Sequence, residues 1–229
     1  MKNLFLLSII FSLVFSQAYA DRETRSLQDF DKVVLGIAGT LYLQQGSKHE
    51  IELDGTTDQL ERLETKVVGN TLHISLKKSF RNFNSRDLTM NLTLKELEGL
   101  TISGSGKVVS RNQLITNQDL KIVLSGSGFA ELDIDGKNIK SLISGSGKLM
   151  LAGIVEAHQV SISGSGSLRA MDMQTNNYDI RISGSGSCRI NVVEKVNANI
   201  SGSGTIYYTG SPNQIESSVS GSGKIKKVS

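Results

Sequence analysis

The chain has no tryptophan and one proline in 229 residues, and aromatic residues make up only 5% of it, so a large aromatic ligand pocket has little to be built from. One cysteine, Cys188, excludes an intrachain disulfide; it is expected to be a small buried apolar side chain. Neither sign of charge prevails. The formal net charge is +3, too weak to point to nucleic acid, and no basic stripe recurs along the chain. The histidines His49, His73 and His158 are scattered without metal-ligand spacing, so neither a metal nor another cofactor is expected.

Long hydrophobic runs are absent too. The longest is the mostly apolar stretch from Leu4 to Phe15, short of the roughly 20 residues an ordinary transmembrane helix needs. It follows Lys2 and precedes Ala18-Tyr19-Ala20, a small-x-small cleavage pattern. Residues 1–20 therefore read as a secretory signal peptide, and the mature chain is expected from Asp21, exported to the periplasm, the outer surface or the medium.

What the sequence does have is one tetrapeptide written seven times. Ser-Gly-Ser-Gly begins at 103, 125, 144, 163, 183, 201 and 220, a period near 20 residues that marks a repeat architecture. Apolar residues occupy alternate positions around each unit: Leu120, Ile122, Leu124, Gly126, Gly128, Ala130, Leu132 and Ile134 share one parity. So do Val160, Ile162, Gly164, Gly166, Leu168 and Ala170, and the run from Ile180 to Val192. Period-two alternation means strands with one buried face. By this parity both glycines of each unit point inward and both serines outward.

One winding of about 20 residues cannot bury its own apolar side; stacked windings can, with each strand hydrogen-bonded to its counterparts about 4.8 Å above and below. Residues 100–229 are thus expected to form a parallel β-helix of about seven coils. Residues 21–99 should add less regular β-rich coils or a cap. Within them Thr57–Lys66 has helical spacing with Thr57 as N-cap, strands are expected at Thr71–Leu76 and Leu88–Leu94, and residues 79–86 read as a loop. Lys227 falls on the inward parity, which fits a place where the core ends.

The opening GIAGTLYLQQG (residues 36–46) together with the recurrent ISGSG resembles the head GIN domain family of bacterial adhesins, over roughly Phe30 to Lys226. The resemblance implies a right-handed β-helix, an exported location and a role in adhesion. It implies no catalytic residues.

Other chemistries can be set beside this pattern. SGSGK at 103–107 ends like a phosphate loop, but Val108 follows the lysine and no helical pattern comes after it. Calcium-binding β-rolls need an aspartate in each glycine-rich repeat, and none of the seven units has one. Glu131, Asp133 and Asp135 share one outward parity and could serve a polysaccharide-active enzyme. The regular exposed feature is the pair of serine columns expected on one side: Ser103, Ser125, Ser144, Ser163, Ser183, Ser201 and Ser220 in the first, and Ser105, Ser127, Ser146, Ser165, Ser185, Ser203 and Ser222 in the second. The leading expectation is a non-enzymatic binding or scaffold module whose partner is carbohydrate or a cell-surface protein, with self-association of the rods as a further expectation. The alternatives are a polysaccharide-active enzyme and a purely structural self-assembling element.

Overall fold

The computed structural model describes residues 21–77 and 83–228; the expected signal peptide at 1–20 lies outside them, as does much of the loop expected at 79–86. Among the described residues the elements are strands apart from one short helix, and they wind into a β-solenoid of about seven turns. In the N-terminal part these are β1 (Asp21–Ser26), β2 (Lys32–Leu35), β3 (Thr40–Gln45), β4 (Glu50–Gly55), α1 (Thr57–Arg62), β5 (Leu63–Val68), β6 (Thr71–Leu76) and β7 (Thr89–Leu94). The repeats form β8 (Gly99–Gly104), β9 (Lys107–Ser110), β10 (Leu114–Thr116), β11 (Leu120–Gly126) and β12 (Phe129–Gly145). They continue as β13 (Lys148–Gly164), β14 (Ser167–Gly184), β15 (Ser187–Gly202), β16 (Thr205–Gly210), β17 (Gln214–Gly221) and β18 (Lys224–Lys227).

The coils stack in parallel with like over like. Ser103, Ser125, Ser144, Ser163, Ser183, Ser201 and Ser220 are successive register partners. Inside, identical positions form apolar ladders. Ile102, Leu124, Ile143, Ile162, Ile182 and Ile200 precede the bends, and none is more than 2% exposed. Val108, Ala130, Leu149, Leu168, Cys188 and Ile206 follow the bends and are fully buried. Cys188 is thus one rung of an aliphatic ladder, as expected, and burial pushes its thiol pKa up, away from the reactive thiolate.

The inward parity holds for the apolar residues but not for both glycines. In each unit the second glycine is the one turned to the core, while the first lies at the corner with its face to solvent. Gly104, Gly126, Gly145, Gly164, Gly184, Gly202 and Gly221 all have φ between +96° and +118°. This left-handed step turns the strand outward for three residues and then returns it to its original parity. The two glycines therefore have different causes. The first supplies backbone conformation. The second supplies room: a Cβ on Gly166 would sit 2.4 Å from Ile143 Cγ2 in the coil before.

The N-terminal coils do not stack in chain order. β2 lies between β6 and β8, and β3 between β7 and β9, so the first coil is clamped between a later one and the start of the repeats. Beyond β6 and β7 the stack is closed by antiparallel strands: β5 on β6, β4 on β7 and β1 on β4. This covers the sheet edges at that end. The helix ends at Arg62 rather than Lys66, because the chain is already paired as β5 from Leu63. Its N-cap is Thr56, not Thr57, and Thr56 and Gln59 form a reciprocal capping box. Gln59 Nε2 also donates to the carbonyls of Asn84 and Arg86 at 2.7 and 2.9 Å, tying the helix to the residues before β7. Thr56→Ala should cost about 1 kcal/mol in chemical denaturation, the usual worth of a cap.

At the other end β17 pairs with β15 and β18 with β16, with no strand beyond either among the described residues. Ile215 and Val219, on the inward parity, are 42% and 43% exposed there. Lys227 sits opposite Tyr208 and is exposed, which accounts for a charge at an inward position.

Candidate functional site

All fourteen serines of the seven units are exposed, and none of their hydroxyls has a hydrogen-bond partner among the described residues. The backbone beneath them is engaged in the inner coils. Ser127, Ser146, Ser165, Ser185 and Ser203 each donate their N–H to the first glycine carbonyl of the previous coil, all at 2.9 Å. The stacking fixes the corner and leaves the hydroxyls unspent, at a spacing along the stack of about 4.8 Å. Sequence reasoning missed one extension. Ser167 and Ser187 are register partners next to Thr205, so in these coils a third hydroxyl column flanks the first two. The signal was present, since these two units read Ser-Gly-Ser-Gly-Ser.

On the side that follows the corner the surface is not flat. A cleft of about 360 Å³ opens across β9 and β12 to β15. It coincides with an irregularity in β14: Met171, Asp172 and Met173 have no register partners in β15, and Met171 and Asp172 line the cleft. Ala152, opposite Asp172, leaves the floor low. The sequence carried a trace of this, because the interval from 163 to 183 is 20 residues and the next is 18.

Of the three acids expected on one outward face, Glu131 and Asp133 line this cleft and Asp135 does not. Asp133 accepts a hydrogen bond from Gln113 Nε2 at 3.1 Å, and its N–H donates to Ser110 Oγ at 2.9 Å. Arg169 and Arg189, register partners on adjacent coils, line the far side of the cleft. Neither makes an ion pair or a side-chain hydrogen bond among the described residues; Arg189 lies over the ring of Tyr207, 5.1 Å from its centroid. The histidines do not converge. His49 faces Asp29 at 3.4 Å, His73 lies on β6 opposite Val34, and His158 is buried with its Nε2 2.8 Å from Ser141 Oγ. Among the described residues no group of three or more His, Cys, Asp or Glu side chains could hold a metal ion. Lys107 begins a strand rather than a helix, so the corner at 103–107 is no phosphate loop.

The family model described as "Putative auto-transporter adhesin, head GIN domain" matches residues 29–212. The chain belongs to the head GIN domain family. The match leaves out the last strand pair, β17 and β18, which in the structure continue the same stack. Among solved structures, a putative adhesin from Bacteroides fragilis NCTC 9343 is similar at 25% identity, with a TM-score of 0.87 and coverage of 93% of this chain and 98% of that one. A protein from Parabacteroides distasonis ATCC 8503, described as a putative lipid binding protein, is also 25% identical, with a TM-score of 0.75 over 92% and 97% of the two chains. A putative adhesin from the same organism shares the fold at 16% identity and a TM-score of 0.76, over 92% of this chain and 98% of that one. No curated protein matches the chain. No helix among the described residues of this head GIN domain is long and apolar enough to cross a membrane.

Proposed function

We propose that this head GIN protein is an exported, non-enzymatic binding module of the adhesin type, and that the serine columns are its contact surface for carbohydrate or a cell-surface protein. The observation that carries this reading is the set of fourteen exposed serine hydroxyls held in register with no partner of their own. A rigid lattice of donors and acceptors loses little conformational freedom on binding. The serine columns are open to a direct test.

A glycan array probed with the wild-type protein and with the triple variant Ser144→Ala, Ser163→Ala, Ser183→Ala supplies it. Each substitution should cost about 0.5 kcal/mol of stability or less, as for exposed sites. Binding to the neutral glycans of the array should fall about tenfold or more, on the scale of one or two lost hydrogen bonds. Equal binding by the two proteins would remove the serines from the site. Detection of the protein in the cytoplasmic fraction alone would overturn export.

The non-enzymatic reading rests on the state of the cleft acids. Glu131 is exposed and Asp133 is held by Gln113, so neither has the apolar enclosure that a proton-donating carboxyl requires. A polysaccharide screen should show no turnover. Turnover abolished by Glu131→Gln or Asp133→Asn would replace this reading with an enzymatic one.

A further inference from the structure

The face that follows the serine corner carries a line of cations without anionic partners. In register order, the outward column next to the corner reads Lys107, Phe129, Lys148, Ser167, Ser187. The column beyond it reads Val109, Glu131, Met150, Arg169, Arg189. Four cations thus share two neighbouring columns with one carboxylate. Lys107 and Lys148 lie over the Phe129 ring, 5.4 and 5.8 Å from its centroid, as Arg189 does over Tyr207. Rings hold these cations where carboxylates would neutralise them. None of the four makes an ion pair among the described residues.

The cleft adds two further features. Arg169 and Arg189, about 4.8 Å apart along the stack, can take one oxyanion between two guanidinium forks. Beside them Met150, Ala152 and Met171 give an apolar floor, and Asp133 and Asp172 line the other side with acceptor oxygens. A bare anion would use the arginines and be opposed by the aspartates. A ligand with an anionic group, neighbouring hydroxyl donors and an apolar C–H face would use all three.

We propose that this cleft is a binding site for an acidic saccharide, with the carboxylate or sulfate on Arg169 and Arg189, hydroxyls donating to Asp133 and Asp172, and the polymer running along the stack past Lys148 and Lys107. The site is separate from the serine columns and does not depend on their role. A linear polyanion fits because Lys148, Arg169 and Arg189 follow the solenoid axis on three successive coils, with Lys107 further along, beyond the coil of Phe129 and Glu131.

The test is titration calorimetry of the full chain with oligogalacturonate and with chondroitin sulfate, neutral dextran and anionic phosphatidylglycerol vesicles being run alongside. One of the two acidic glycans should bind, dextran should not, and affinity should fall as salt rises from 50 to 300 mM. Arg169→Gln with Arg189→Gln should weaken binding about tenfold or more while leaving the melting temperature within a degree or two. Lys148→Gln, farther along the line, should weaken it less. The serine triple variant should bind the acidic glycan as the wild type does, so failure of the serine site and failure of this one are told apart. The proposal is overturned if neither acidic glycan binds, if the double arginine variant binds unchanged, or if the vesicles bind and the glycans do not.

Discussion

Gly164→Val is expected to abolish cooperative folding or to lower stability by about 4 kcal/mol or more, against about 0.5 kcal/mol or less for its neighbour Ser163→Ala. Gly164 has φ +107°, which a β-branched residue adopts only under strain of about 1–3 kcal/mol. A Cβ there would also lie 2.8 Å from the Gly145 carbonyl oxygen, a backbone atom that cannot step aside. That carbonyl already accepts the Ser165 N–H at 2.9 Å, so relief on one side breaks a stacking bond on the other. The cost is one of backbone approach at a corner, and core volume has no part in it. Gly104 separates the two contributions. It has φ +96° but nothing within 4 Å of a would-be Cβ, because the coil beneath it has Ile37 rather than a glycine corner. Gly104→Ala should therefore cost only about 1–2 kcal/mol, and Gly164→Ala clearly more. Thermal melts of the four variants decide the matter, and equal mild losses would reject the account.

The second large effect is acid sensitivity centred on His158. This ring is 1% exposed, in the interior of β13, with its Nε2 2.8 Å from Ser141 Oγ and its Nδ1 without a partner. A tautomer with the proton on Nε2 leaves only a lone pair at Nδ1; a second proton there would be a buried donor with nothing to donate to. Desolvation accordingly depresses the pKa from 6.5 to about 3. The unfolded chain takes up a proton near pH 6.5 that the folded chain refuses until about pH 3. Stability from this group is therefore complete above pH 6.5 and is lost as pH falls, at about 1.4 kcal/mol per pH unit. Between pH 6.5 and pH 5, where most carboxylates are still ionised, the loss should be about 2 kcal/mol. In His158→Gln, which can still bond Ser141 but cannot titrate, the fall in urea midpoint across that window should be much shallower, the remainder coming from His49, whose pKa burial also lowers. A slope equal to that of the wild type would place the acid sensitivity elsewhere.

Much of this architecture was legible before any coordinates. The alternation from Leu120 to Ile134 gives a strand face, the recurrence of Ser-Gly-Ser-Gly gives the stack, and Ile102, Leu124, Ile143 and Ile162 do form one buried ladder. The serines are outward as read. The first glycine of each unit was misplaced because parity counts residues and is blind to φ. A left-handed step displaces one residue outward and then restores the alternation, so its neighbours on both sides still look regular. The helix was overextended for a similar reason. Leu60, Leu63 and Val67 have helical spacing, but Leu63 and Val67 pair with Leu76 and Leu72 across an antiparallel turn, and strand pairing outweighs a weak local preference.

What the amino-acid order determined alone is whatever repeats with the chain: the period, the inner ladders, the exposed serines and the buried Cys188. These depend on contacts between each coil and the next one along, and the repeat itself encodes them. Tertiary structure decided what does not repeat. The first coil is inserted between β6–β7 and β8–β9, and Arg169 and Arg189 meet Asp133 and Asp172 around a cleft where β14 bulges. Such contacts join residues with no fixed separation in sequence, so no periodicity announces them and only the packed coils bring them together.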